Sequence, residues 1–303
     1  MKKKFYLPLG MAALALLGTG CTAEDPANGL DINQTIFADG DGSSSGSTEN
    51  PLTRFRISSY DFNGGQYRFD YRPSGAPVEV AKGGNTNTIF RIEYAANMDY
   101  PSAVEWSTET YVYEDEVYRT VANHKIENLE FEGGLLKSLI YSGNIVSYEY
   151  KGEVIEGVPY PSHDVKFEYD GAGHLVKILV DDKAYEQKWD AAGDLTEINS
   201  PWFGTSMLEY SEVGNRYGQW DPTLPFMGFF QTFGWFGTAP VHFPKTISTK
   251  ALSDDPDASS GSRAAAEVFT LDYYLDYNGL MEQVAWARST NNGMSVYINY
   301  ISL

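Results

Sequence analysis

Two stretches of the chain decide the fold: residues 169–178 read YDGAGHLVKI, and residues 189–198 read WDAAGDLTEI. Each has an aromatic residue followed by Asp, a Gly three places after the Asp, and two apolar positions beyond it. We predict that Asp170 and Asp190 begin turns through their side-chain oxygens, and that Gly173 and Gly193 supply backbone angles that other residues avoid. The stretches therefore predict a repeated β-hairpin unit.

Apolar and polar residues alternate in many segments after Leu52. Residues 90–94 read FRIEY, residues 165–169 read VKFEY, and residues 269–275 read FTLDYYL. A period of two gives each strand one buried face and one wet face, which is typical of antiparallel sheet. No comparably long segment has an apolar stripe with a period of 3.6, so helix is predicted to be a minor component.

Degenerate copies of the hairpin unit begin at Tyr60, Phe131, Tyr210 and Leu275. Six related hairpins imply roughly ten or more strands, enough to curl a sheet or close it. We therefore predict an all-β fold, in which an antiparallel meander of repeated hairpins forms a long curled sheet or a barrel-like structure. A single β-domain is expected to occupy residues 51–303.

The repeat breaks between residues 200 and 250, where aromatic residues are concentrated. We predict a short helical and aromatic insert near residues 221–236, and a Ser/Gly-rich loop insert at residues 251–266. The aromatic insert has two interpretations: a buried plug for the sheet, or a platform for sugar rings or an apolar ligand. The candidate ligand-binding residues of the second interpretation are Trp202, Trp220, Phe229, Phe233 and Trp235.

The N-terminus has the pattern of an export signal. Three lysines precede an apolar stretch at residues 5–17, which is too short to span a bilayer. Residues 17–21 read LGTGC and resemble the lipobox of bacterial lipoproteins, in which the cysteine is lipid-modified and begins the mature chain. Gly18 stands where that motif usually has Leu. We predict a lipoprotein signal peptide at residues 1–20 with Cys21 as the lipidation site; the alternative is an ordinary signal peptide cut after Gly20.

Residues 21–50 are rich in Asp, Gly, Ser and Asn. Such a composition buries too little apolar surface to order itself, so we predict a flexible acidic tether. Residues 22–25 resemble the short acidic signals that direct some lipoproteins to the outer face of the outer membrane. The expected location is the outer membrane, with the protein facing the periplasm or exposed at the cell surface.

The combination of lipobox, acidic tether and hairpins resembles a family of bacterial envelope lipoproteins of unknown function with a porin-like β-fold. The hairpins themselves resemble the tyrosine-aspartate (YD/RHS-like) repeats of bacterial wall-associated and toxin-shell proteins. This resemblance covers most of residues 52–303. It implies a fold and a location, and it supplies no catalytic residue.

Charge and composition restrict the partners. The formal net charge of −19 becomes −22 without the three signal lysines, because 41 acidic residues then face 19 basic ones. A chain this acidic repels phosphate backbones, so no nucleic-acid partner is expected. The single cysteine allows no intramolecular disulfide. The four histidines lack metal-ligand spacing, so we predict no metal site and no cofactor.

The expected function is a lipid-anchored envelope protein that acts as a non-catalytic binding or structural module. Its predicted partners are outer-membrane lipid through Cys21 and a glycan or an envelope protein, contacted by the insert or by a sheet face. Charges such as Lys166 and Glu168 on the wet faces favour a soluble, tethered domain. One alternative is an envelope glycoside hydrolase with a carboxylate pair among the 41 acids. Another is a carrier of apolar ligands, which needs an empty barrel interior.

Overall fold

A computed structural model of the protein describes residues 55–302, apart from residues 63–64, 84–87, 97, 99, 115, 151–152, 160, 202–203, 222–227, 251–266 and 289–292. The predicted signal peptide, the tether with Cys21, the loop insert at residues 251–266 and the candidate ligand-binding residue Trp202 lie outside the described residues. Their assignments stay predictions.

The prediction of an all-β antiparallel meander is confirmed. The described part of the chain contains seventeen strands and one short 3₁₀-helix at Gly228–Phe233, within the predicted aromatic insert. The first ten strands are β1 (Phe55–Phe62), β2 (Gly65–Tyr71), β3 (Pro77–Gly83), β4 (Thr88–Glu93), β5 (Ala103–Glu114), β6 (Glu116–Glu132), β7 (Leu135–Tyr150), β8 (Glu153–Pro159), β9 (His163–Tyr169) and β10 (Leu175–Val180). The last seven are β11 (Lys183–Trp189), β12 (Leu195–Ser200), β13 (Gly204–Gly214), β14 (His242–Lys250), β15 (Glu267–Leu275), β16 (Met281–Arg288) and β17 (Gly293–Ser302).

These strands belong to two compact units. The first unit comprises Phe55–Tyr185, Trp235–Gly237 and Ile298–Leu303. In it, consecutive strands from β1 to β8 pair antiparallel, β9 pairs with both β7 and β10, and the last residues of β17 pair with β1. The second unit comprises Glu186–Gly234 and Thr238–Tyr297 and continues the meander from β11 to β17.

Each unit has a core on one face of its strands, as the period of two in the sequence predicts. Burial alternates residue by residue along β4, β9 and β11. Val104, Leu139 and Val165 are among the buried aliphatic residues of the first unit, and Leu208 and Val284 are among those of the second. Burying such side chains stabilises the sheets by about 1.5–3 kcal/mol per residue.

The aspartate turns close the hairpins in a common way. The Asp170 carboxylate oxygen Oδ1 accepts the backbone N–H groups of Ala172 and His174, both at 2.9 Å. The Gly173 N–H donates to the Asp170 carbonyl (3.1 Å), and Gly173 has φ = +84°. That left-handed conformation favours glycine. The Asp side chain therefore satisfies two backbone N–H groups of the turn, which allows the chain to reverse within five residues.

One degenerate copy of the hairpin unit does not form a turn. Residues 210–214 read YSEVG and lie inside β13, which runs to Gly214. The chain then enters a long insert before β14 begins at His242. This copy lacks the Asp that organises the turns at Asp170, Asp190 and Asp276.

Candidate functional site

Asp190 and Gly193 repeat the geometry of the first turn within the second unit. Asp190 Oδ1 accepts the N–H groups of Ala192 (2.8 Å) and Asp194 (3.0 Å), and Gly193 has φ = +91°. Asp276 forms a third such turn, in which its Oδ1 accepts two backbone N–H groups at 2.8 Å. All of these carboxylates are used by their own turns, so they are structural residues.

The two repeats differ at the residue after the glycine. In the first unit His174 Nδ1 donates to Asp170 Oδ2 at 2.9 Å. The pKa of Asp170 lies below its usual value, because the hydrogen bonds from His174 and Ala172 outweigh a desolvation that acts in the opposite direction. In the second unit the equivalent residue is Asp194, and both of its oxygens lie 2.8 Å from His242, one from the backbone N and one from Nδ1.

The aromatic insert is packed against hairpin ends. Trp235 is buried in the first unit, where its carbonyl accepts the Leu136 N–H at 2.9 Å and its ring meets Phe131 edge-on at 5.9 Å. Trp220 is buried in the second unit, with its ring 6.2 Å from Trp189. The burial of both tryptophans favours the packing interpretation of the insert.

The other two insert candidates lie on the 3₁₀-helix. Phe229 is its second residue. Phe233 is its last residue and is half-buried, with its ring centroid 6.1 Å from that of Phe230. Trp220 and Phe233 thus belong to the second unit, and Trp235 belongs to the first.

Buried polar side chains fix the insert in the second unit. Asn215 donates through Nδ2 to the carbonyls of Gln219 (2.7 Å) and Pro240 (2.8 Å), and Gln219 Oε1 accepts the Met281 N–H at 2.9 Å. The Tyr273 hydroxyl donates to the buried carboxylate of Asp221. Burial and that carboxylate raise the pKa of Tyr273. These hydrogen bonds tie the described ends of the insert to the second unit.

A different group of aromatic side chains lies on the core face of the first unit. Each member lies two residues from a buried aliphatic residue of its own strand, and alternation therefore places it on the same face. Five neighbouring strands, β4, β5, β6, β7 and β9, contribute one ring each. We call this group the ring row: Phe90, Trp106, His124, Tyr141 and His163.

Strand register sets the spacing of the ring row. Trp106 pairs directly with His124, and Tyr141 pairs directly with His163. Gly143 stands opposite His124 and has no side chain, so the Tyr141 ring approaches His124 diagonally. The ring centroids are 5.0 Å apart for Trp106 and His124, 6.2 Å for His124 and Tyr141, and 6.3 Å for Tyr141 and His163, with planes within 21° of parallel. Neighbouring rings of the row are therefore close to parallel across the strands.

Hydroxyl groups occupy both nitrogens of the central imidazole. His124 Nε2 lies 2.8 Å from Thr108 Oγ1, and His124 Nδ1 lies 2.8 Å from the Tyr141 hydroxyl. Burial lowers the pKa of His124 to about 4, because the charged form would lose its hydration. The imidazole is neutral at physiological pH, and a base this weak is poorly suited to take a proton from a substrate.

A second imidazole ends the ring row. His163 Nδ1 lies 2.6 Å from Asp181 Oδ2, and this hydrogen bond is the main cause that lowers the pKa of Asp181. Asp181 has φ = +53° in the turn between β10 and β11, a conformation that Asp tolerates better than most residues. Its Oδ1 also accepts the Asp164 N–H at 3.1 Å. The turn thus holds the carboxylate against the imidazole.

The ring row combines burial with access. His124 is 6% exposed, whereas Trp106 and Tyr141 are half-buried and the His163 side chain is 24% exposed. The half-buried members of the row thus carry an indole N–H, a phenol hydroxyl and an imidazole ring. That inventory suits the binding of a polar ligand by hydrogen bonds.

The sequence contains the residues of the ring row but no linear signal that groups them. Trp106, His124, Tyr141 and His163 are separated by 17 to 22 positions. Only the strand register aligns them, and the strand ends that set this register are poorly defined in sequence. The alternation of apolar and polar residues indicates only that each of them lies on the core-facing side of its strand.

Two further observations restrict the chemistry. Within the described ranges, no three His, Cys, Asp or Glu side chains are grouped so that they could hold a metal ion. Within the same ranges, none of the helical structure is long and apolar enough to cross a membrane.

No family model matches this chain, and no curated protein matches it. Among the solved structures that are similar, two are described as porin-like proteins. The one from Bacteroides uniformis is 11% identical, with 84% of this chain and 97% of that chain covered at a TM-score of 0.44. The one from Bacteroides vulgatus is also 11% identical, with 83% and 98% covered at a TM-score of 0.38. At this identity and with TM-scores below 0.5, nothing about ligands or activity follows from either likeness.

Proposed function

We propose that this chain is a lipid-anchored protein of the bacterial cell envelope whose β-domain binds a ligand without catalysing a reaction. The anchor is the lipid on Cys21, and the acidic residues 22–50 tether the domain to the outer membrane. The lipobox-like LGTGC motif and the signal-like apolar stretch support this anchor. The repeated aspartate turns support kinship with tyrosine-aspartate hairpin repeats.

The faces opposite the core carry charges suited to water. Lys125 lies 3.0 Å from Glu127 and 3.5 Å from Glu105, and Lys188 lies 2.8 Å from Glu197. Exposed pairs of this kind add little stability. On a lipid-facing surface, however, each lysine at mid-depth would cost about 2–4 kcal/mol. The ion pairs therefore support a domain surrounded by water and held near the membrane by its tether.

The ring row is the observation that carries the binding proposal. Its half-buried residues combine polar groups with apolar ring surface, and its central imidazole is a poor base. A glycan is the ligand class that we propose, because sugar hydroxyls need several donors and acceptors close together while their C–H groups contact apolar surface.

The hydrolase alternative lacks a comparable observation. Among the described residues of the second unit, Asp194 and Asp221 are the buried carboxylates. Asp194 is hydrogen-bonded by His242, and Asp221 is hydrogen-bonded by Tyr273. Both carboxylates hold the insert in place through these hydrogen bonds, which favours a structural role for them.

A glycan array followed by calorimetry on the purified protein tests the binding proposal. Trp106→Ala and Tyr141→Phe are expected to weaken binding at least about fivefold, since each removes a contact worth about 1 kcal/mol or more. Tyr297→Ala is the matched control, because Tyr297 is 44% exposed on the opposite face of its strand and lies outside the ring row. A parent protein that binds no glycan would refute the proposal.

The anchor has a separate test. Cys21→Ser is expected to move the protein from the membrane fraction to the soluble fraction of the envelope and to abolish labelling by a radioactive fatty acid. An unchanged membrane association would favour the alternative of an ordinary signal peptide with attachment by other means.

A further inference from the structure

The aspartate turn has a further copy that begins with asparagine. Asn215 Oδ1 accepts the Gln219 N–H at 2.8 Å, and the Gly218 N–H donates to the Asn215 carbonyl at 3.1 Å. Gly218 has φ = +65°. The turn at Asp276 closes with the same two bonds, and Gly279 there has φ = +81°. We call these two the paired turns: residues 215–219 and residues 276–280.

The paired turns lie side by side in the second unit. They follow the ends of β13 and β15, and because β14 runs antiparallel between these strands, both ends lie at the same edge of the sheet. Gln219 Oε1 accepts the Met281 N–H at 2.9 Å. A Cβ at Gly279 would lie 3.1 Å from the Tyr217 ring. The paired turns therefore form one continuous surface.

The paired turns carry large side chains where the other turns carry small ones. The residue after the first Asn or Asp is Arg216 or Tyr277 in the paired turns, whereas it is Gly171 or Ala191 in the others. Since all four turns close with the same bonds, the turn itself does not require a large side chain. Tyr277 is 91% exposed, so its ring is not part of the core either.

Packing explains why the other turns are small. Gly237 lies against the carbonyl of Gly173, and the Val241 N–H donates to the carbonyl of Gly193 at 3.2 Å. Both of those turns are therefore covered by the insert. The Tyr277 ring instead faces solvent, where its apolar faces are open to a ligand.

Arg216 supplies a cation on the same surface. Its side chain is exposed, and its guanidinium carbon lies 5.4 Å from the centroid of the Tyr217 ring. Tyr217 contacts Gly279, and Gly279 is two Cα–Cα steps of about 3.8 Å from Tyr277. With these contacts, the guanidinium and the Tyr277 Cα are at most about 20 Å apart. An oligosaccharide of a few rings can span this separation.

We propose that the paired turns bind an oligosaccharide of uronic acids, in which a carboxylate pairs with Arg216 and the apolar face of a sugar ring stacks on Tyr277. A guanidinium donates in a planar fork that matches a carboxylate. The proposal goes beyond the binding function of the ring row, because the paired turns belong to the second unit and the ring row belongs to the first.

The size of the surface favours a small ligand. An aromatic side chain buries about 150–250 Å², and a stable protein complex buries about 800 Å² on each partner. Two exposed side chains, Tyr277 and Arg216, therefore suit a few sugar rings better than a protein surface.

The charge of the chain selects among acidic ligands. A net charge of −19 repels anions in general. This repulsion is screened beyond about 8 Å at physiological ionic strength, whereas a guanidinium and a carboxylate meet in direct contact. A phosphate monoester carries close to two negative charges and a carboxylate carries one, so the repulsion disfavours phosphorylated sugars more strongly.

Calorimetric titration of the purified protein with acidic trisaccharides tests the proposal. The probes are the trimers of galacturonic acid and of mannuronic acid at about 0.15 M salt, with their methyl esters as uncharged counterparts. One of the acids is expected to bind at least about fivefold more tightly than its ester, because a hydrogen bond to a charged partner is stronger than a neutral one.

Two variants assign the contacts. Arg216→Ala is expected to bind the acid no more tightly than the ester, and Tyr277→Ala is expected to weaken the binding of both at least about fivefold. Alanine occupies the equivalent place in the turn that contains Ala191, so both variants are expected to keep the turn.

The matched controls change the same residue types elsewhere in the second unit. Lys245→Ala removes an exposed positive charge, and Tyr297→Ala removes a tyrosine that is 44% exposed on a strand. Both are expected to leave the affinity for the acid unchanged. A loss in Lys245→Ala equal to that in Arg216→Ala would reduce the effect to net charge and overturn the proposal.

The remaining outcomes separate this proposal from its alternatives. If neither trimer binds, or if the esters bind as tightly as the acids, the proposal is overturned. A capped triglutamate peptide that binds as tightly as the acids and depends on Arg216 would overturn the assignment to a sugar. Trp106→Ala is expected to leave the binding of the acid intact, and its loss would place the ligand on the ring row instead. A failure of neutral glycans to bind would remove only the function proposed for the ring row.

Discussion

Gly237 provides the sharpest test of how the insert is packed, because its backbone lies against the first aspartate turn. It forms an isolated antiparallel bridge with His174 and has φ = +81°. A Cβ at this position would overlap the carbonyl oxygen of Gly173 and would lie 3.2 Å from two carbons of the Tyr169 ring. Gly237→Ala therefore adds steric overlap with backbone to the strain of a left-handed residue.

A matched glycine separates those two effects. Gly133 also belongs to the first unit and has φ = +60°, but a Cβ there meets nothing within 4 Å. Gly133→Ala should cost only the left-handed strain, about 1–2 kcal/mol. Gly237→Ala should cost the same strain plus about 1–3 kcal/mol for overpacking, so its total is about 2–5 kcal/mol.

Urea unfolding of the purified proteins measures the difference, with tryptophan fluorescence as the probe and equal m-values as the check on comparability. We expect the midpoint of Gly237→Ala to fall well below that of Gly133→Ala. Equal losses for the two variants would show that the insert moves away from Gly173 without cost. The close backbone approach would then have no role in holding Trp235–Gly237 in place.

Three further predictions concern the turns, the tyrosines and the ring row. Asp190→Ala should destabilise the protein by about 1–2 kcal/mol, because the N–H groups of Ala192 and Asp194 lose their acceptor. Asp190→Asn keeps one side-chain oxygen and should cost less. Equal losses of stability in urea unfolding would contradict the role of the side-chain oxygen. Tyr169→Phe should cost about 1 kcal/mol in the same assay, because the Leu136 carbonyl loses a hydroxyl donor at 2.8 Å, and Tyr210→Phe should cost a similar amount through the Leu195 carbonyl at 2.7 Å. Because the folded-state pKa of His124 is lowered from 6.5 to about 4, its contribution to the free energy of unfolding is fully present above pH 6.5 and is lost as the pH falls toward 4, up to about 3 kcal/mol. His124→Gln should therefore show a weaker decline in stability over that range, and an identical decline would contradict the lowered pKa.

The strand content and the aspartate turns could be predicted because their causes are local. Alternation of apolar and polar residues depends only on neighbours in the chain, and an Asp followed three places later by Gly closes a turn within five residues, as residues 170–174 show. The copy at residues 210–214 lacks the Asp and makes no turn. The short helical insert could also be anticipated, because the repeat visibly stops before it.

The ring row could not be predicted, because its members share nothing in the linear sequence. Trp106 faces His124 and Tyr141 faces His163 only because the hydrogen-bond register of β5, β6, β7 and β9 places them at paired positions. A shift of one residue would turn each ring to the opposite face. The burial of Trp220 and Trp235 likewise depends on tertiary packing, because an exposed insert would have the same amino-acid sequence.

The amino-acid sequence by itself determined that this protein is built from antiparallel hairpins closed by aspartate turns, because those interactions span only a few residues. The tertiary structure alone decided which side chains meet across strands, including Asp181 beside His163 and Gly237 against Gly173. Such contacts depend on register and on long-range packing, and those are set by the whole assembly of strands.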